Sequence, residues 1–132
     1  MPWRSLGANV TGLVALAAFT LLAGCDPGAR DRQVQFARSI GNPNRGQHLI
    51  RARNCGSCHT IPGVRGADGA VGPPLNFFSR RIYIAGEVPN TPANLVRWVM
   101  DPQSIEPKTA MPAVGLTERD AHDVAAYLYT LQ

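Results

Sequence analysis

Cys55 and Cys58 are separated by two residues, and His59 follows directly. Two thiols at that spacing, at the end of a helix, match the separation of the two vinyl groups on one edge of a porphyrin. The next residue can then project its imidazole at the metal. The chemistry to expect is covalent attachment of one haem c and one-electron transfer at its iron. Other uses of a cysteine pair fit less of the chain. A structural zinc needs a second pair of ligands, and Cys25, His48 and His122 supply none at the usual spacing. A dithiol redox pair calls for a strand–helix context without the adjacent histidine.

The elements that must position this motif are short. The chain has 11 prolines and 13 glycines in 132 residues, which favours many turns over one long bundle. Asn42-Pro43-Asn44 is a start signal for a helix that leads into the motif over 46–53, with Gly46, Leu49 and Ile50 on one face and His48 on the surface. Thr91-Pro92 caps a second helix that carries Trp98 and Met100 and stops at Asp101-Pro102. Thr117-Glu118-Arg119-Asp120 is a capping signature for a last helix over 118–131. Its apolar stripe is Ala121, Val124, Ala125, Leu128 and Leu131, with His122 on the polar side. The fold class read from this is all-α, with about three to five short helices around one covalently bound haem.

Over about residues 44–131 the chain resembles the class I cytochrome c family. Gly72-Pro73-Pro74-Leu75 matches a family segment in which the proline carbonyl accepts the proton on the outer nitrogen of the axial histidine. That bond would hold the tautomer of His59 and raise its basicity. The resemblance implies a methionine as sixth ligand, nine residues after a helix-ending proline. Met111 stands nine residues after Pro102, in a loop able to bring sulfur to iron, whereas Met100 in its helix reads as packing. In the same register Trp98 replaces a tyrosine near the sulfur, and Thr109 falls where a hydroxyl bonds a haem propionate. Arg80 or Arg81 matches an arginine that pairs with a propionate. Tyr127 and Gly46 match the pair at which the family's last and first helices cross. The glycine-rich stretch 61–71 reads as a surface insertion. A filled sixth position implies an electron carrier rather than an enzyme.

The residues around Ser79-Arg80, the run 84–95 and Trp98-Val99-Met100-Asp101-Pro102-Gln103 resemble the cytochrome c domain fused to subunit II of some bacterial haem-copper oxidases. That likeness implies a stand-alone carrier that feeds a terminal oxidase. An electron-accepting subunit of a periplasmic dehydrogenase is the alternative.

Residues 1–24 read as a lipoprotein signal peptide: Arg4, then an uncharged stretch over 6–23, then Leu22-Ala23-Gly24-Cys25. Cys25 resembles the lipidated cysteine of a bacterial lipobox; an uncleaved transmembrane anchor is the other reading. Asp26 resembles a signal for retention at the inner membrane. The expected location is therefore the cell envelope, lipid-anchored on the periplasmic side. Residues 25–41, rich in arginine, read as a lipid-anchored flexible tether, and 42–132 as the cytochrome c domain. A net charge of +4, with no basic run interleaved with aromatics, excludes a nucleic-acid partner.

Overall fold

The computed structural model describes residues 28–132. Cys25 and the candidate signal peptide lie outside the described residues. Four helices follow in order: α1 (Ala29–Ile40), α2 (Pro43–Ala52), α3 (Pro92–Met100) and α4 (Glu118–Leu128). Three single 3₁₀ turns connect them, at Cys55–Ser57, Phe78–Arg80 and Pro102–Ser104.

Each of the last three helices begins where its side chains satisfy the free N–H groups of the first turn. Asn42 Oδ1 accepts from the Arg45 N–H at 3.1 Å, and Pro43 occupies the first turn, where a missing N–H costs nothing. Thr91 and Pro92 repeat the arrangement at α3. At α4 the Thr117 hydroxyl accepts from the Asp120 N–H at 3.2 Å, and the Asp120 carboxylate accepts from the Thr117 N–H at 3.3 Å, closing a reciprocal box.

Helices α2 and α4 make the main packing contact, and α3 lies against α4. The α2–α4 crossing sits at Gly46. A Cβ there would come within 1.9 Å of the Asp123 carbonyl oxygen and 3.1 Å of the Tyr127 Cβ, so only glycine lets the two backbones approach this closely. Ile50, Leu95, Val99, Ala121, Val124 and Leu128 are buried in one core between the three helices.

Three features differ from the sequence reading. First, residues 29–40 are helical, and the face made by Gln33, Phe36 and Ala37 packs rather than hanging as a flexible tether. Ala37 is buried, Gln33 Nε2 donates to the Tyr129 carbonyl at 2.7 Å, and the Phe36 ring stands edge-on to Tyr129 at 5.4 Å. The exposed arginines dominate the composition here and mask the packing face. Second, a two-stranded antiparallel hairpin interrupts the otherwise all-α architecture: β1 (Tyr83–Ile84) pairs with β2 (Val88–Pro89). Ala85 and Gly86 both take positive φ in its turn, the backbone geometry that closes a tight hairpin. Third, the stretch 61–71 is not merely a surface insertion. Ile61, Val64 and Ala67 are buried, and the Tyr127 hydroxyl donates to the Pro62 carbonyl at 2.6 Å.

Candidate haem site

Helix α2 ends at Ala52 with Arg53 as its C-cap, and Asn54 then adopts a left-handed conformation with φ 56°. The 3₁₀ turn Cys55–Ser57 follows, tightened by hydrogen bonds from the Cys58 and His59 N–H groups to the Cys55 carbonyl at 3.3 and 3.1 Å. This local winding sets both thiols and the imidazole against the interior. Burial pushes the Cys55 thiol pKa up, so the thiol rests un-ionised.

His59 is oriented from behind. Its Nδ1 lies 2.8 Å from the Pro73 carbonyl oxygen. A carbonyl can only accept, so Nδ1 carries the proton and Nε2 keeps its lone pair. The loop bearing Pro73 is held in place by the Gly72 N–H, which donates to the Cys58 carbonyl at 2.8 Å, and by the Leu75 N–H, which donates to the Thr60 carbonyl at 2.8 Å. Gly72 runs flat against the imidazole: a Cβ would sit 2.3 Å from His59 Cε1. Any other residue would push the ring or the loop aside.

The three motif residues open on a cavity of about 800 Å³. That lies in the upper part of the roughly 300–1,000 Å³ range of cofactor pockets. Its walls are mainly apolar and include Ile50, Leu75, Phe78, Leu95, Val99 and Leu128. Pro73, Trp98, Thr109 and Met111 also line it. Met100 does not; it packs, half-buried, against the core. Among the described residues no group of three or more His, Cys, Asp or Glu side chains is placed to hold a metal ion. The donor set on the cavity is instead two thiols, one imidazole and one thioether around apolar walls. That set fits a covalently held tetrapyrrole with nitrogen and sulfur ligands.

The two arginines of the sequence reading separate here. Arg80, one of the two candidates for a propionate, does not line the cavity; it is exposed, with its guanidinium 5.5 Å from the Phe77 ring centroid. Arg81 does line it, stacks over Phe78 at 5.3 Å and donates to the Pro74 carbonyl. Phe77 takes a left-handed φ of 55°, and the 3₁₀ turn after it swings consecutive side chains to different sides. Burial lowers the Arg81 pKa, a sign that its charge is partly desolvated at the cavity wall.

Two groups near the site went unread in the sequence. Gln103 Nε2 donates to the Met111 carbonyl at 2.8 Å. Arg45, on α2, forms ion pairs with both Asp120 and Asp123 of α4, whose carboxylates are buried. No local pattern flags such a pair, since its members are more than seventy residues apart.

The ion pair has a consequence in acid. The Thr117 hydrogen bond, with help from Arg45, holds the Asp120 carboxyl below the usual carboxylate range. Its folded pKa is below its unfolded one, so the stability it contributes is full above about pH 4 and is lost as pH falls through the folded value. Arg45→Ala leaves two buried carboxylates without their cation, and the variant should unfold at higher pH than the parent in an acid titration followed by circular dichroism. An unchanged midpoint would show that the pair adds nothing to stability.

Comparison with known proteins agrees with this geometry. The family described as cytochrome c matches residues 43–132. Cytochrome c oxidase subunit 2 of Alkalihalophilus pseudofirmus is 36% identical over 90 residues, covering 67% of this chain and 25% of the relative. Cytochrome c oxidase subunit 2 of Bacillus subtilis is 33% identical over 86 residues, covering 64% of this chain and 24% of the relative. The chain therefore spans about a quarter of the length of these curated relatives. With a haem-attachment motif on a matching cavity and the family match running from α2 to the last residue, this chain belongs to the cytochrome c family and is an electron-carrier cytochrome.

Proposed function

We propose that this protein is a membrane-tethered, mono-haem electron carrier that donates single electrons to a terminal haem-copper oxidase. The observation that carries the reading is the cavity on which Cys55, Cys58 and His59 meet Met111. Cys55 and Cys58 would hold haem c through thioether bonds, and the bound haem would supply reversible one-electron chemistry at iron. His59 would hold the iron through Nε2 while Nδ1–H stays on the Pro73 carbonyl. Met111 would supply a soft thioether, which favours ferrous iron and raises the potential.

The remaining groups tune and retain the cofactor. Arg81, rather than Arg80, pairs with a propionate; its planar guanidinium suits a carboxylate. The Thr109 oxygen accepts the Met111 N–H at 3.2 Å, which leaves its own O–H to donate to a propionate. Trp98 closes the wall with its indole. A saturated iron leaves no position for substrate, so the chain carries electrons and does not itself catalyse.

The similarity to oxidase subunits supports the choice of partner. Among the described residues no helix is long and apolar enough to cross a membrane. We assign attachment to lipid on Cys25, on the strength of the lipobox-like run Leu22-Ala23-Gly24-Cys25, and the domain to the periplasmic side of the inner membrane. Both parts are testable together. Cys25→Ser should move the holoprotein from the membrane to the soluble fraction; continued membrane retention would mean that the apolar N-terminal segment itself is the anchor. Pre-reduced protein should be reoxidised by membranes that contain a terminal oxidase, and cyanide should block it. No oxidation at any ionic strength would rule out the donor role, and reduction of the ferric protein by a periplasmic dehydrogenase would put the chain on the accepting side instead.

A further inference from the structure

We infer that Gln103 is a positioning residue: its side-chain amide holds the Met111 loop closed against the cavity and so sets how readily the sixth iron position opens. The inference rests on Met111 being the axial ligand.

The loop leaves the 3₁₀ turn Pro102–Ser104 and reaches Met111 seven residues later. Its first half is stitched to itself. The Ile105 and Glu106 N–H groups donate to the Pro102 carbonyl at 3.1 and 3.0 Å, the Lys108 N–H donates to the Glu106 carboxylate at 2.8 Å, and the Thr109 N–H to the Glu106 carbonyl at 3.0 Å. Beyond Thr109 the chain has no helix or strand until α4. Pro112 has no N–H to offer. The Met111 N–H reaches only to Thr109, two residues back in the same loop. What ties Met111 to the start of the loop is the Gln103 amide, at 2.8 Å from the Met111 carbonyl oxygen. The next fixing point is Val114, whose carbonyl accepts from Arg53 Nη1 at 3.2 Å.

Gln103 is exposed, so its side chain fills no part of the core and its removal leaves no void. The structure gives its side chain one hydrogen bond, made to the backbone of Met111, which lines the cavity. A segment with so few fixings belongs to the low-stability end of a fold and opens locally without global unfolding. Loss of one neutral hydrogen bond then raises the open population by about five-fold. Arg53 acts on the same segment from the other side. It also caps α2 two residues before Cys55, so its replacement would disturb the motif as well. Gln103 separates the two effects.

The test uses ferric holoprotein and imidazole, which binds the sixth position once the methionine has left. Well below saturation the binding rate follows the open population of the loop. Gln103→Ala should keep the ferric sulfur-to-iron charge-transfer band and lose only a few degrees of thermal midpoint, yet bind imidazole about five-fold faster. Gln103→Glu has the same shape but, ionised, can only accept, so its carboxylate opposes the Met111 carbonyl and the rate should rise further. Gln47→Ala removes a bond of similar length, from Gln47 Nε2 to the Gly63 carbonyl at 2.7 Å, in a different loop, and should leave the rate unchanged. Wild-type rates in both Gln103 variants would overturn the inference while leaving the ligand assignment intact, provided that Met111→Ala abolishes the band. A band that survives Met111→Ala would remove the ligand assignment, and this inference with it.

Discussion

Met111→Ala is expected to abolish the ferric sulfur-to-iron charge-transfer band and to lower the reduction potential. The fall should be on the order of 0.1–0.3 V, a part of the about 0.8 V range that axial ligands set. A thioether stabilises ferrous iron more than ferric, and its loss removes that preference. The competing methionine gives a clean control. Met100 closes α3 and packs against the core, away from the cavity lining. Met100→Ala should therefore keep the band and the potential and cost only packing, about 2 kcal/mol for a partly buried methionine. If Met100→Ala removed the band and Met111→Ala did not, the two assignments would exchange.

Cys55→Ser/Cys58→Ser should yield protein with no covalent haem and little stable fold. A serine hydroxyl forms no thioether with a vinyl group, so the haem stain on a denaturing gel should vanish. The effect on folding follows from the size of the cavity. Without an occupant, a space of about 800 Å³ leaves its mainly apolar walls exposed to water, and at roughly 1.5–3 kcal/mol for each large apolar side chain left unburied the loss is comparable with a total domain stability of about 5–15 kcal/mol. The core residues Ile50, Phe78, Leu95 and Val99 all face that cavity as well as each other, so the cofactor and the core are one packing unit. Helical circular dichroism should accordingly fall in the double variant. Haem that stayed on the gel would contradict the attachment residues; full helicity without haem would contradict the shared core.

The parts legible in the sequence are those governed by short-range geometry. The Cys55–His59 spacing is covalent arithmetic. The caps at Asn42, Thr91 and Thr117 are satisfied within three residues, and all three helices start there. The stripe on α4 is a simple periodicity, and Ala121, Val124, Ala125 and Leu128 are all buried; the helix ends at Leu128 rather than 131, and Leu131 is buried beyond its end. Met111, which the family resemblance implied at nine residues beyond Pro102, lines the cavity. The contacts that escaped were decided at long range or by one torsion. Helix α1 has a packing face only because Tyr129, nearly a hundred residues away from Gln33, supplies an acceptor and a ring edge. Tyr129 in turn packs edge-on to Phe78, which lines the cavity, so α1 belongs to the domain it was read as merely tethering. Arg80 and Arg81 are adjacent in sequence, and the left-handed φ of Phe77 decides which of them turns inward. Glycine content made 61–71 look like surface, but Ile61, Val64 and Ala67 are spaced three apart and turn under the loop together.

A spectroelectrochemical titration of purified holoprotein asks whether His59 and Met111 build a one-electron carrier. Such a carrier should show a single reversible transition with a one-electron slope, with the sulfur-to-iron band disappearing in step with reduction. An iron that lacks the band when ferric and takes up carbon monoxide when reduced, as fast as an open-site haem does, would contradict it.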